Sequence, residues 1–358
     1  MSERPPLTYA DAGVDLEAAE RAVGEISLLL ERARRPEVLG GIGGFAGLFA
    51  FDPSRFEEPV LVSSTDGVGT KVEIARQRDV LETVGQDLVA MVVDDLVVTG
   101  AEPLFLNDYL AVGRVDPARV RRLVAGVVEG CRLAGCALVA GETAEHPGVL
   151  PPDGFDLAGF GVGVVERRAM LGPERVRDGD VLVGMASSGV HANGFSLVRR
   201  LVEDSDLDES YGLGRPLGDV LLTPTRIYAR DCLALADHVD VRVFCHVTGG
   251  GLPGNLPRVL PDGLRAIVDA ATWRVPAVFE LLRTLGPVPD DDLWRTFNLG
   301  VGMVAVVHPA QADDAVALLD HRGVPAWVVG EVRPGEGVEI TGRPRPHADQ
   351  RRRDGSRR

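Results

Sequence analysis

Lysine is nearly absent from this chain. Of 38 basic residues among 358, one is lysine, Lys71, and the rest are arginine. A compact ammonium on a flexible stem is physically unlike a planar guanidinium fork. Under a compositional bias that replaces lysine wherever arginine serves, Lys71 is either a group arginine cannot imitate or a leftover on the surface. Aromatic residues are also scarce, at 5%, which excludes an aromatic-rich recognition module, while 45% hydrophobic residues exclude disorder for the body of the chain. The four cysteines are few and poorly spaced: Cys131 and Cys136 are separated by four residues, and Cys232 and Cys245 stand apart. None makes a familiar metal or redox pair, so they are read as buried hydrophobes of a cytoplasmic protein. Long apolar runs are missing as well. Segment 88–106 is interrupted by Asp94, Asp95 and Glu102, and the first residues lack an apolar core of signal-peptide type, so neither a membrane span nor a signal peptide is expected.

Net positive charge is confined to the end. The chain carries −15 at pH 7, the Arg-rich tail 343–358 contributes +5, and the body is therefore about −20. Such a surface repels nucleic acid and anionic membrane, so an anionic ligand needs a local site built from metal, backbone N–H groups and a few chosen cations.

Hydrophobic spacing supplies the organisation. Leu16, Ala19, Val23, Ile26 and Leu30 mark an amphipathic helix, followed by the glycine cluster 40–47, which loses too much backbone entropy to order as helix or strand and reads as a mobile loop. Strands are predicted at 59–65, 104–112, 137–140 and 156–166, with helices from 72, over 83–100 and over 117–134. After a boundary near Arg168 come strands at 180–187, 242–246, 264–269, 299–307 and 326–332, with helices from 195, over 224–236, from 275 and over 310–319. The fold class is α/β (α+β), in two domains, 1–168 and 169–342, with a disordered basic tail 343–358.

Three features of the first half suit phosphate and a divalent cation. Asp66-Gly67-Val68-Gly69-Thr70-Lys71 combines a carboxylate for Mg²⁺, glycines that let N–H groups approach an anion, and a lysine. It is not a Walker A loop, which has another spacing. Asp94-Asp95 interrupts an apolar helix; neighbours on a helix lie about 100° apart, so at most one faces a given ion, and a solvent-facing helix surface is the alternative. Gly141-Glu142-Thr143-Ala144-Glu145-His146 follows a strand and reads either as a functional loop or as an ordinary polar turn. In the second half, Ser187 through Gly194 joins a strand to a helix and contains His191 and Asn193, and His246-Val247-Thr248-Gly249-Gly250-Gly251 is a second glycine-rich loop; catalytic and structural roles both fit His191 here. Gly41-x-Gly43-x-x-Ala46 follows a helix rather than a strand and so fails the context of a dinucleotide fingerprint.

Taken together, these strings resemble one family. Tyr9 to Asp15, Arg34 to Phe45, Ser64 to Lys71, Asp95 to Pro103 and Gly141 to Glu145, then His191-x-Asn193-Gly194, Thr223-Pro224-Thr225-Arg226-Ile227-Tyr228, His246-x-Thr248-Gly249-Gly250-Gly251 and Arg295 to Met303, are similar in register to phosphoribosylformylglycinamidine cyclo-ligase, or AIR synthetase. The resemblance runs from about Tyr9 to Val332 and leaves out the tail. It implies a two-domain AIR-synthetase-like fold, with an N-terminal ATP-binding domain forming a barrel across a homodimer and a C-terminal α/β sandwich. It also implies ATP-driven ring closure of formylglycinamidine ribonucleotide to 5-aminoimidazole ribonucleotide, with ATP and Mg²⁺ as cofactors.

Carried over by position, Gly41, Gly43, Gly44, Asp66, Gly67, Gly69, Thr70 and Lys71 bind ATP, and Asp66, Asp95 and Glu142 hold the metal. Lys71, Asp95 and His191 are catalytic, Lys71 by neutralising the transferring phosphate. His191, Asn193, Thr248, Gly249 and Gly250 contact substrate. Position 94 is usually Asn in the family and is Asp here, which leaves Asp95 preferred over Asp94. The related selenophosphate synthetase implies a reactive cysteine in the glycine loop, which 40–47 lacks; thiamine-phosphate kinase lacks the 34–45 and 295–303 strings; and the hydrogenase-maturation relative implies a terminal cysteine where this chain has arginine.

Overall fold

A computed structural model describes residues 16–41 and 44–343. The chain forms two compact units. The first contains the chain up to Gly172 together with His191–Ser196 and Leu222–His238; the second contains Pro173–Val190, Leu197–Leu221 and the residues from Val239 onward.

In the first unit, helix α1 (Leu16–Leu30) precedes two short strands, β1 (Val38–Leu39) and β2 (Leu48–Phe49), which pair antiparallel and enclose the glycine cluster. Then follow β3 (Pro59–Gly67), α2 (Lys71–Arg78), α3 (Glu82–Val97), β4 (Glu102–Val112), α4 (Pro117–Ala134), β5 (Ala137–Glu145) and β6 (Phe155–Glu166). The four longer strands make one sheet in the order β3-β6-β4-β5, antiparallel except for the parallel pair β4 and β5. One face of this sheet is covered by α3: a Cβ added at Gly159 would meet Leu88 and Val92, and one at Gly161 would meet Val92 and Leu96. The glycines on this side of β6 thus exist because a helix lies directly on the strand. Arg35 pins the segment before β1, donating to the carbonyls of Pro103 and Gly135 and pairing with Glu37 and Glu102.

Helices α3 and α4 approach each other through glycine. A Cβ at Gly85 would come within 2.5 Å of the Leu123 carbonyl, one at Gly130 within 2.8 Å of Val89, and one at Gly126 would collide with the carbonyl of Glu82. Helix α4 matches its predicted bounds because its signals are local: Asp116 caps it through Ala118 N, Pro117 opens it and Gly135, at φ +84°, ends it. The amphipathic stripe predicted for α1 is displaced. Its buried line runs through Ala18 and Ala22, whereas Val23 is exposed.

The second unit holds a six-stranded sheet in the order β12-β9-β11-β7-β10-β8. In chain order the remaining elements are β7 (Val181–Ala186), α5 (Phe195–Leu201), α6 (Leu217–Leu221), α7 (Ala229–His238), β8 (Val241–His246), α8 (Gly251–Asn255), β9 (Leu264–Asp269), α9 (Ala277–Leu285), α10 (Asp290–Thr296), β10 (Val301–Val307), α11 (Ala312–His321), β11 (Ala326–Pro334) and β12 (Val338–Thr341). β10 is buried along its whole length, as an apolar strand inside a sheet covered on both faces should be. Strand β12, which pairs parallel with β9, and the short helices α6, α8 and α10 escaped the sequence reading because their runs are too brief to show a period.

Two glycines with opposite environments test the packing. Gly126→Ala is expected to destabilise the chain by about 1–3 kcal/mol through overpacking. Gly24→Ala, in a helix with nothing within 4 Å of the added Cβ, is expected to stabilise it by about 0.5–1 kcal/mol. Urea unfolding midpoints moving in the same direction for both variants would contradict the packing described.

Candidate active site

The loop between β3 and α2 begins where the antiparallel ladder stops. Asp66 pairs with Gly159 at the end of β3, and its Oδ1 accepts from the N–H of Gly67 at 2.7 Å. A Cβ at Gly67 would stand 3.1 Å from the Leu157 carbonyl, and Gly69 takes φ +71°, a left-handed turn that lets Thr70 open α2. The Thr70 hydroxyl lies 3.2 Å from that of Ser196. Of the glycine-cluster residues, Gly41 and Gly44 are exposed, and Gly43 lies outside the described residues. Gly47 closes the cluster against β5, where an added Cβ would meet the Val139 carbonyl at 2.6 Å. A cavity of about 170 Å³ is bordered by Arg34, Gly40, Gly41, Gly47 and Val139.

Lys71 is not on the surface. It is wholly buried, and its Nζ donates to Asp87 Oδ1 at 2.9 Å, with Oδ2 in ion-pair contact at 2.8 Å, to the carbonyl of His191 at 2.9 Å and to the carbonyl of Thr223 at 2.9 Å. An ammonium has three N–H donors, and all three are taken. Burial pushes its pKa down while the Asp87 carboxylate opposes the shift. A planar guanidinium with five donors has no place in this interior, so the lysine survives for a steric and hydrogen-bonding reason. The same geometry corrects its expected role: an ammonium enclosed by three protein acceptors is directed at the fold rather than at a phosphate.

Asp87, which the sequence reading passed over as part of an apolar helix, is the centre of this arrangement. Besides Lys71, its Oδ1 accepts from Thr225 N at 2.7 Å and Thr225 Oγ1 at 2.6 Å. Seven residues further along α3, on the same face, buried Asp94 accepts from Tyr228 N at 2.9 Å. The two carboxylates take the backbone N–H groups of Thr225 and Tyr228 out of any helical ladder, and α7 starts at Ala229 and not near Pro224 as predicted. Asp95 is turned away from Asp94 and is half-buried. The 100° rotation between neighbours assigns one carboxylate to the interior and leaves the other beside solvent.

His191 sits in the same cluster. It is 2% exposed and has φ +67°, a left-handed conformation that costs a non-glycine residue about 1–2 kcal/mol. Its ring lies 6.2 Å from that of Tyr228, and Asn193 Nδ2 donates to Met91 Sδ at 3.4 Å. Thr248, Gly249 and Gly250 belong to the second unit. There Asn255, another residue the sequence reading missed, donates to the carbonyls of Gly249 and Gly251 and fixes the turn, whose Gly250 takes φ +103°.

The three carboxylates expected to hold metal do not gather. Gly141 to Glu145, read from sequence as a loop, is the second half of β5 and pairs with β4, a polar run tolerated because β5 is an edge strand. Asp66 and Asp108 both flank Gly159, on the face covered by α3. Glu142 pairs with Tyr109, one position on, and so occupies the opposite face at the opposite edge of the sheet. Among the described residues no three His, Cys, Asp or Glu side chains form a metal-sized group. Asp66 and Glu142 are therefore not ligands of one ion within a single chain.

Asp108 is a further carboxyl unmarked by sequence. Its Oδ1 fills the space a Cβ on Gly141 would need, and burial pushes its pKa from 3.8 up to about 7. The native state thus holds this proton more tightly than the unfolded chain. Its contribution to stability is fully present below pH 3.8 and is lost as pH rises through 7. Asp108→Asn, which cannot ionise, is expected to gain thermal stability relative to the parent as pH goes from 4 to 8 in metal-free buffer; a difference that stays constant with pH would refute the shift.

Known proteins resemble the chain at two levels. The family described as AIR synthase related protein, N-terminal domain, matches residues 49–165, and its C-terminal counterpart matches residues 177–343. A phosphoribosylformylglycinamidine cyclo-ligase from Anaeromyxobacter dehalogenans strain 2CP-1 is 53% identical over 338 residues, covering 94% of this chain and 98% of the relative. Among solved structures, thiamine-monophosphate kinase from Stenotrophomonas maltophilia K279a superposes with a TM-score of 0.67 at 20% identity, over 91% of this chain and 97% of that one. The hydrogenase maturation protein HypE in complex with ATP gives 0.65 at 20% identity, over 90% and 89%. The two structures share the fold; the identity that spans both domain families is with the ligases, and the chain belongs to the phosphoribosylformylglycinamidine cyclo-ligase family.

Proposed function

We propose that the first unit binds ATP beside the β3–α2 loop and drives the ring closure of formylglycinamidine ribonucleotide to 5-aminoimidazole ribonucleotide, releasing ADP and phosphate. The observation that carries this reading is 53% identity to a cyclo-ligase over 94% of the chain. The chemistry explains the need for ATP. A formyl amide oxygen is a poor leaving group; phosphorylated, it becomes an imidate phosphate that the neighbouring amidine nitrogen attacks within the same molecule, so proximity and leaving-group quality supply the acceleration.

The residues divide the work. Gly69 and Thr70 lead into the start of α2, where an anion is favoured, and Gly67, whose N–H is held by Asp66, shapes the turn before them. Gly41, Gly43 and Gly44 belong to the segment we assign to the nucleotide. Asp66 and Asp95 offer hard carboxylate oxygens of the kind Mg²⁺ accepts alongside nucleotide phosphates, and the ion, when bound, would offset phosphate charge. Glu142 stands outside that set. His191 and Asn193 contact the substrate or the transferring group, and Thr248, Gly249 and Gly250 its phosphate. Lys71 acts by position rather than by contact with phosphate.

A second copy of the chain belongs to this reading. The sheet face opposite α3 displays Leu61 at 65%, Phe160 at 43% and Tyr109 at 41% exposure. An apolar sheet face open to water favours pairing with another such face. Among the described residues no helix is long and apolar enough to cross a membrane, and the four cysteines are buried thiols without disulfides, which suits a cytoplasmic dimer.

Purified protein given ATP, Mg²⁺ and formylglycinamidine ribonucleotide is expected to release ADP and form the aminoimidazole product in equal amounts; ADP without the imidazole would overturn the substrate. Asp95→Asn is expected to raise the Mg²⁺ concentration needed for half-maximal rate about tenfold, whereas Asp94→Asn chiefly lowers the melting temperature, by a loss of about 1–2 kcal/mol at the Tyr228 N–H. The reverse order would exchange their roles. Sedimentation equilibrium is expected to give twice the 38.2 kDa of the chain, and a mass of one chain at micromolar concentration would exclude the homodimer.

A further inference from the structure

We propose that Asp87, with Thr225 and Lys71, is a positioning residue for the reaction: the three hold the His191 carbonyl, and with it the substrate-contacting loop 191–193, in a conformation the loop would not adopt alone. This rests on the reading of His191 and Asn193 as substrate contacts. No part of it requires Asp87 to touch ATP or substrate.

Four observations converge. Asp87 is fully buried on α3 and accepts four hydrogen bonds or ion-pair contacts from two residues: Nζ of Lys71 at both oxygens, and N and Oγ1 of Thr225. Lys71 uses its two remaining donors on backbone carbonyls, those of His191 and Thr223, from two chain segments far apart in sequence. The His191 carbonyl belongs to a non-glycine residue at φ +67°, flanked by Gly194 at φ +79°. Left-handed backbone at a histidine persists only where surroundings over-determine it, and the Lys71 donor is such a surrounding. The side chain beyond that carbonyl packs 6.2 Å from the Tyr228 ring, whose own N–H is held by Asp94. The ion pair therefore fixes the His191 backbone, and Asp94, further along the same face of the helix, fixes the backbone of the tyrosine beside the His191 ring.

A merely structural ion pair behaves differently from a positioning one, because a buried pair replaced on both sides by apolar groups often keeps its stability. The test is a set of variants: Asp87→Asn, Lys71→Met, the double variant Lys71→Met with Asp87→Leu, and Thr225→Val against Thr225→Ser. Each is measured for melting temperature and for kcat and KM with formylglycinamidine ribonucleotide and ATP. The single variants are expected to lose stability, and the double variant to regain most of it while kcat stays down by about 100-fold, the scale of a misplaced contact. Thr225→Val, which loses the hydroxyl that donates to Asp87, is expected to lower the melting temperature modestly and to lower kcat about tenfold at a temperature where it is fully folded, and Thr225→Ser to recover both.

A double variant, or Thr225→Val, with parental kcat and KM overturns the proposal. If the double variant does not fold, the Thr225 pair decides alone. Should the parent protein show no ring closure, the functional reading fails by itself. The hub is then judged by the ¹H–¹⁵N signals of the His191 ring, assigned among seven histidines by His191→Gln. A shifted signal in Thr225→Val and a parental one in Thr225→Ser support positioning, and parental signals in both overturn it.

Discussion

The interior of the first unit is organised around one ion pair, Lys71 with Asp87. Both partners are removed from water, which is tolerable only because every donor of the ammonium is used and the carboxylate is shared with Thr225. Removing either partner would strand a buried charge, at a cost of about 3–5 kcal/mol. From this pair the rest of the site follows: the course of segment 223–228, the late start of α7, and the backbone of His191. It also accounts for a composition in which arginine has taken every basic position but one.

Much of this was legible in the chain before the structure. The helices and strands with local signals, such as the Asp116 cap, Pro117 and Gly135 around α4, came out at their bounds because the information lies within a few residues. The singular lysine was readable as special, but its direction was not: the glycines and aspartate beside it suggest phosphate, and only the fold reveals that three acceptors from elsewhere in the chain converge on it. Asp87 was invisible for the same reason, since a lone aspartate among apolar residues carries no local pattern, and Thr225, although within one of the strings shared with the family, gave no sign of its partner. Asp94 and Asp95 illustrate the middle case, where helical rotation told us that they diverge and the Tyr228 N–H decided which went inward. The register of β5 was missed because polar residues in an edge strand look like a loop.

The sheet of the first unit separates two kinds of chemistry by the alternation of side chains. The face under α3 carries Asp66 and Asp108 beside glycines that leave room for the helix, while the opposite face carries Leu61, Phe160 and Tyr109. One residue of register places Glu142 among the second group. A single strand shift would exchange the carboxylates and the apolar groups, so the pairing of β3, β6 and β4 determines which face carries acid groups beneath α3 and which is apolar and exposed.

The spacing of Asp87 and Asp94 turns α3 into a ruler. Two helical turns, about 10 Å at 1.5 Å per residue, separate the two carboxylates, and the three-residue step from Thr225 to Tyr228, outside any helix, brings its two N–H groups to both of them. A helix and a non-helical stretch have been cut to a common measure. Gain or loss of one residue between the carboxylates would swing Asp94 through a quarter turn and destroy the match. Length in this part of the chain is therefore constrained more tightly than residue identity: substitutions among its apolar positions can be absorbed by repacking, but insertions and deletions cannot.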